Sequence, residues 1–280
     1  MSIKKSITPI ILAGGSGQRL RPLTNKKTPK PFVSFLRKRS LLQNTLDRLA
    51  PFAPPIIVAH EQTRGLCAQH IRENNTQIGD LLLEPLQCGT AAAVIAACYY
   101  LSEKYGNSMV LISPVDHDIK DKAAFHDTIR NAAQNLENNQ IALFGIPPKS
   151  ASAQYGYISH DQNNAVTAFH EKPAAGFARG LIQQGNSLWN TGYVLMDTKT
   201  CLDAAQKLCP DLYLNTVNAV TRAGRVQNAA LFNAESYSKI DPLSFDKAIL
   251  EHADNLVIHR LNTGWQDIGT LYSYFKALLT

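Results

Sequence analysis

The sequence predicts an α/β protein: a mixed, mostly parallel central sheet with helices on both faces and a small inserted β-sheet. Three observations carry this expectation. Short β-rich runs alternate with helical patterns through the first half of the chain, the order that produces parallel sheets. The 280 residues, 45% hydrophobic and 18% charged, suffice for one large domain with a full core. The second half breaks the alternation with short β-like runs. The expected organisation is a single domain over 1–280, in halves 1–150 and 151–280.

Taken in order, TPIIL (8–12) reads as a strand running into glycines. SLLQNTLDRLA (40–50) reads as a helix, with Leu42, Leu46 and Leu49 on one face and Ser40 as its cap. PIIVA (55–59) is a strand, a helix-like segment follows through Ile71, and LLLEP (81–85) is another strand. Alanine-rich TAAAVIAACYYLSEKYG (90–106) predicts a helix started by Thr90 and ended by Gly106. MVLISPVD (109–116) predicts a buried strand ending in acid, KAAFHDTIRNAAQNL (122–136) a helix and IALFGI (141–146) a strand. YGYISH (155–160) and VTAFHEKP (166–173) read as the inserted sheet, and GNSLWNTGYVLM (185–196) leads into a further strand. Helical stretches around 199–208 and 212–222 precede the strand NLVIHRL (255–261), the segment GWQDIGT (264–270) and a short C-terminal helix. Ligands of such sheets sit beyond the carboxyl ends of the strands. The glycine loop and Val115-Asp116-His117-Asp118 should therefore face one cleft.

The formal charge is +6, yet the densest basic cluster lies inside the glycine loop. That suits a small polyanion, and no nucleic-acid-binding module appears. Five cysteines without CxxC spacing predict a reduced, cytoplasmic protein. The start MSIKKSITPIIL lacks a proper hydrophobic signal region. No run approaches the ~20 apolar residues that span a bilayer.

Four constellations carry chemistry. In LAGGSGQRLRPLTNKKTPKP, Gly14, Gly15 and Gly17 permit an anion-binding nest. Arg19 can fork onto phosphate oxygens, and Lys30 is aimed by the flanking Pro29 and Pro31. The loop matches neither a Walker A loop nor a dinucleotide fingerprint. In ISPVDHDI (112–119), Asp116 is placed to hold Mg²⁺, which takes one or two carboxylates plus substrate phosphates. Asp118 can instead cap the next helix, and His117 reads first as a wall residue. In GWQDIGT, Asp267 is a second metal carboxylate or a structural turn acid. In FHEKP and WNTG, Glu171 can accept sugar hydroxyls, Lys172 can neutralise a phosphate and Asn190 offers an amide, while Trp189 either stacks on a sugar or packs in the core. No GxSxG elbow, HExxH or Cys/His metal spacing is present.

These pieces occur in a familiar order. LAGGSGQRLRPLTNKKTPKPF resembles the GGxGxRLxPLTxxxPKP motif of the sugar-nucleotide pyrophosphorylases. LLEPLQCGTAAAVIAA, SPVDHDI, ALFGIPPKSASAQYGYI, FHEKP through WNTGYVLM, SKIDPLSFDKAILE and GWQDIGT resemble segments of the mannose-1-phosphate guanylyltransferases. The likeness runs from about residue 8 to 275. It implies a Rossmann-like nucleotide-diphospho-sugar transferase fold, with a nucleotide-binding half (1–150) and a sugar-phosphate-binding half (151–280). It implies the reaction of GTP or another NTP with mannose 1-phosphate or another sugar 1-phosphate, with Mg²⁺, giving an NDP-sugar and pyrophosphate. By position, Arg19, Lys30 and Asp116 would be catalytic. Leu12, Ala13, Gly14, Gly15, Gly17, Arg19, Lys30, Glu84, Gly89 and Thr90 would bind the nucleotide. Asp116, Gly156, Glu171, Lys172 and Asn190 would line the sugar-phosphate pocket, and Asp116 and Asp267 would hold the metal.

The chain departs from that family at two places. CGTAA stands where it has RNTAP, and LTNKKTPKPF is closer to thymidylyl- and uridylyltransferases of the same superfamily, which act on glucose 1-phosphate. A non-catalytic nucleotide-sugar-binding protein is the third reading. Neither nucleic acid nor membrane is expected as a partner, no isomerase domain is implied, and a homodimer is left open.

Overall fold

The computed structural model describes residues 6–15, 17–35 and 39–279. Four buried strands, β1 (Ile7–Leu12), β2 (Ile56–His60), β3 (Asp80–Glu84) and β4 (Met109–Pro114), run parallel in the order β3-β2-β1-β4. Their sequences are nearly unbroken apolar runs because both faces are covered. Ile10, Val58 and Leu82 pack into one core cluster, while Ile11, Ile57 and Leu83 pack into the cluster on the opposite face, as the two-residue period of a strand requires.

Helices α1 (Leu41–Leu49), α2 (Arg64–Asn74) and α3 (Gly89–Tyr105) make the crossovers. Ser40 caps α1 in a reciprocal box: its hydroxyl accepts the Gln43 N–H (3.1 Å) and the Gln43 side chain accepts the Ser40 N–H (2.9 Å). Alanine-rich α3 is buried over most of its length. After β4 come β5 (His117–Ile119), α4 (Lys122–Asn135), β6 (Ile141–Ile146), β7 (Tyr157–His160), β8 (Val166–His170), α5 (Ala175–Gln184) and β9 (Ser187–Asp197). Then follow α6 (Thr198–Leu208), α7 (Pro210–Thr221), β10 (Gly224–Val226), β11 (Ala229–Leu231), α8 (Ala234–Tyr237), the π-helical turn Asp246–Leu250, β12 (Leu256–Arg260), β13 (Trp265–Asp267) and α9 (Leu271–Leu279). The small side chains of α3 let α6 and α7 pack against it.

Among the described residues, the main sheet has the order β10-β11-β3-β2-β1-β4-β9-β6-β12. The expected α/β class with a mostly parallel sheet is what the chain forms. Strands of 151–280 lie among those of 1–150: β9 runs antiparallel between β4 and β6, and β11 runs parallel to β3. The inserted hairpin β7–β8 joins the main sheet through β9, and a separate two-stranded sheet pairs β5 with β13.

Several local expectations change. The strand expected over 109–116 ends at Pro114, so Asp116 sits in the turn before β5. Asp121, rather than Asp118, caps α4 by accepting the Ala124 N–H (3.0 Å); Asp118 pairs with Lys120 at 2.8 Å. The helix expected to start at Thr90 begins one residue earlier, at Gly89. Helix α5 does not stand out in the sequence, because Gly176 and Gly180 dilute its pattern. Strands β10 and β11 are too short, at three residues each, to announce themselves. Among the described residues, no helix is long and apolar enough to cross a membrane.

Candidate active site

The chain leaves the sheet where β1 stops. Ala13 donates its N–H to the Val58 carbonyl (2.8 Å) and buries its side chain, and the loop begins at Gly14. Gly17 has φ 71°, and a Cβ there would lie 2.6 Å from the Lys30 Cβ, so only glycine lets the two backbones pass. Thr24 Oγ1 fixes this crossing by donating to the Gly17 carbonyl (2.7 Å). Arg19 is exposed on the short helical turn Gln18–Leu20. Lys30 is nearly buried on the turn Lys30–Phe32, and its ammonium is paired with Asp116.

Leu12, Gly14, Gly15, Gly17, Arg19, Lys30, Glu84, Gly89, Thr90 and Asp116 line one cavity of about 590 Å³ at the carboxyl ends of the parallel strands. Of the residues expected at the nucleotide, Ala13 alone faces the core instead. A larger cavity, about 780 Å³, lies at the other end of the strands beside Thr8, Met109 and Asp197, and gathers none of these motif residues.

The far wall of the first cavity is Glu84. Its Oε1 accepts the Tyr237 hydroxyl (2.6 Å), and burial pushes its carboxyl up to about 7, against that hydrogen bond. Beside it, Gln87 Nε2 donates to the Gly14 carbonyl (3.1 Å). Gly89 (φ +82°) is pressed so close to the chain that a Cβ would meet the Leu243 oxygen at 2.2 Å. Leu243 is stitched there on both sides: its carbonyl accepts the Ala91 N–H (3.1 Å) and its N–H donates to the Cys88 carbonyl (3.2 Å). Thr90 Oγ1 accepts the Phe245 N–H (2.9 Å), so this hydroxyl anchors a distant segment rather than capping its own helix.

At the front of the cleft, pairing of β13 with β5 sets Asp267 opposite His117 and next to Asp116. One ligand atom from each of the three lies within 4.8 Å of the others. Burial and then the Asp116 charge push Asp267 up to about 6, partly offset by Lys30 and Arg19. For Asp116, burial pulls upward, but the Lys30 ammonium beside it wins and holds it below the usual carboxylate range. His117 is pushed down to about 4 by burial and packs edge-on against Tyr193 and Trp265, which keeps it a neutral wall residue.

The sugar-side candidates converge next to this. Asn190 donates its backbone N–H to the Gly156 carbonyl (2.8 Å), and a Cβ on Gly156 would strike Glu171 Oε2 at 2.9 Å. Glu171 is nearly buried, and the exposed Lys172 pairs with it from a left-handed backbone (φ 48°). The structure thus brings Gly156, Glu171, Lys172 and Asn190 together. Trp189 packs on Tyr155 (4.8 Å between ring centres) and is buried, so it belongs to the core. Sequence reasoning gave no role to Tyr237, Leu243, Asp246 or Glu251. Glu251 Oε1 accepts the Glu171 N–H (3.2 Å), and Asp246 Oδ1 accepts from Asn190 Nδ2 (2.9 Å). The segment SFDKAILE was visible as a motif, but nothing local showed what it touches.

The cleft therefore brings together a glycine-rich loop with two cations, a close pair of acids and a group of polar side chains. A profile described as nucleotidyl transferase matches residues 8–280. The chain is 32% identical over 274 residues to the mannose-1-phosphate guanylyltransferase RfbM of Salmonella typhimurium, covering 95% of this chain and 57% of that one. It is also 32% identical over 269 residues to the xanthan biosynthesis protein XanB of Xanthomonas campestris pv. campestris, covering 94% and 58%. The chain thus spans under three fifths of these relatives. The solved structure of mannose-1-phosphate geranyltransferase from Thermus thermophilus superposes with a TM-score of 0.81 at 26% identity, covering 95% of this chain and 77% of that one.

Proposed function

The chain belongs to the nucleotidyl transferase family, and from that premise we propose that it makes GDP-mannose and pyrophosphate from GTP and mannose 1-phosphate. The relatives' names support the pair of substrates. One observation in the cleft supports the base: the buried carboxylate of Glu84. An ionised carboxylate only accepts hydrogen bonds. Guanine offers two neighbouring donors on its pairing edge, N1–H and N2–H₂, which satisfy it and return it to the charged form. Uracil and thymine offer one donor between two carbonyls, and a carboxylate is repelled by both.

In this reading an oxygen of the sugar phosphate attacks the α-phosphorus in line. A P–O bond forms, the bond to the bridging oxygen breaks, and pyrophosphate leaves. The nucleophile is already an anion, so no general base is needed; positioning and charge neutralisation do the work. Arg19 and Lys30 bind the triphosphate, Lys172 the sugar phosphate, and Glu171 with Asn190 the sugar. Asp116 and Asp267 would hold Mg²⁺; two oxygen donors this close, one retaining its proton up to about pH 6 beside the other's charge, suit a hard dication. When bound, Mg²⁺ neutralises phosphate charge.

Pyrophosphate release across a panel of NTPs and sugar 1-phosphates tests the substrates. GTP with mannose 1-phosphate should be fastest. Faster turnover of dTTP or UTP with glucose 1-phosphate would overturn the assignment, and binding without turnover of any pair would make this a binding protein. Asp116→Asn should cut turnover about 100-fold or more in a protein that still unfolds cooperatively, though at lower denaturant because Lys30 loses its charged partner. Near-normal turnover would remove Asp116 from the site.

A further inference from the structure

The sugar side of the cleft contains a carboxylate to which the reading above gives no task. Asp246 opens the π-helical turn Asp246–Leu250, and such turns occur frequently at functional sites. Asp246 is half-buried, and among the described residues Asn190 is the one side chain hydrogen-bonded to it, donating from Nδ2 at 2.9 Å. The Asn190 amide is clamped at its other end too, because its Oδ1 accepts the Gly192 N–H (3.0 Å). Burial, and then the nearby charge of Glu171, push the Asp246 carboxyl up to about 6.

A merely structural acid gains nothing from a second acid beside it. Two like charges in a low dielectric oppose each other's ionisation, and strongly perturbed groups of this kind cluster where ligands bind. The segment is also held from outside the pocket. Leu243 and Phe245 are tied to Cys88 and Thr90 just before Asp246, and Glu251 is bonded to the Glu171 backbone just after the π turn. The acid is thereby fixed in place rather than free to swing away from Glu171.

We propose that Asp246 is a specificity residue of the sugar pocket, accepting one ring hydroxyl of the sugar 1-phosphate beside the hydroxyl accepted by Glu171. The inference rests on the sugar-nucleotide reading above. Two carboxylates and an amide held in fixed relation can read two adjacent hydroxyls together with their stereochemistry. A hydroxyl donor also stabilises the ionised Asp246, which offsets its unfavourable surroundings in the empty pocket.

The test is a thermodynamic cycle on binding, with calorimetry as its readout. Mannose 1-phosphate and its 2-, 3-, 4- and 6-deoxy analogues are titrated into the wild type, Asp246→Asn and Asp246→Ala. Losing a hydrogen bond to a charged group should weaken binding of the parent sugar phosphate about 10- to 100-fold. For one deoxy analogue, the wild type and Asp246→Asn should bind equally well, because the hydroxyl that Asp246 holds is already gone. GTP affinity should stay within about twofold in Asp246→Asn, which reports an intact fold. An equal loss for every analogue would reduce Asp246 to a support for Asn190, and unchanged affinities would dismiss it; either result overturns the proposal. Turnover of the parent pair by the wild type is measured alongside. Absence of turnover strikes the catalytic reading, while the binding cycle still decides the role of Asp246.

Discussion

Glu84 meets two opposed demands. The folded protein hides it under Tyr237, and its carboxyl rises from 4.5 to about 7. Between those values the folded state binds more protons than the unfolded chain, so stability falls as pH rises through that window. The penalty is fully present above about pH 7, absent below about 4.5, and on the order of 3 kcal/mol at most. Glu84→Gln should therefore flatten the dependence of urea unfolding on pH. It should also stabilise the free protein at pH 8 by about 1 to 3 kcal/mol, and in the same variant the KM for GTP should rise. A variant no more stable than the wild type at pH 8 would show that Glu84 is not strained. The sequence placed Glu84 near the nucleotide only by resemblance. Its partner lies 153 residues away, and no local pattern encodes such a contact. The glycine loop was more legible, because the crowding of Gly17 against Lys30 and the prolines around Lys30 fall within one short stretch of sequence.

At the scale of elements, the start of α3 shows how a local rule is overridden. Thr90 has the chemistry of a cap, but its hydroxyl is engaged by Phe245, and the Leu243 carbonyl satisfies the first-turn N–H of Ala91 instead. What sequence pattern reads as helix initiation is an attachment point for the segment leading to Asp246. Gly89→Ala places a methyl 2.2 Å from the Leu243 oxygen at a backbone angle that favours glycine. The variant should lose about 2 to 4 kcal/mol in chemical denaturation and should weaken both substrates, since the displaced segment also carries the sugar side. Gly15→Ala, with open space around its Cβ, should leave stability within about 0.5 kcal/mol. A neutral Gly89→Ala would mean that the attachment is loose. Helices α1, α3 and α4 are legible because their apolar and alanine-rich patterns are local, whereas α5, β10 and β11 owe their form to neighbours distant in the chain.

For the whole molecule, alternating strands and helices were enough to predict the class, since strands buried on both faces read as continuous apolar runs. The sheet order was not readable from sequence pattern. Nothing in the periodicity of 187–197 says that β9 inserts between β4 and β6. That insertion makes a fragment of residues 1–150 a protein with its sheet interrupted. Expressed alone, it should show no cooperative unfolding by circular dichroism, and a sharp two-state transition would show that β9 is dispensable to that half. The contact between Gly89 and Leu243 bears, finally, on descent. A lineage that enlarges the residue at 89 must move the stretch of chain before Asp246 in the same evolutionary step. The two stretches of chain are then inherited as one unit, and a chimera that borrows either without the other inherits a mismatch.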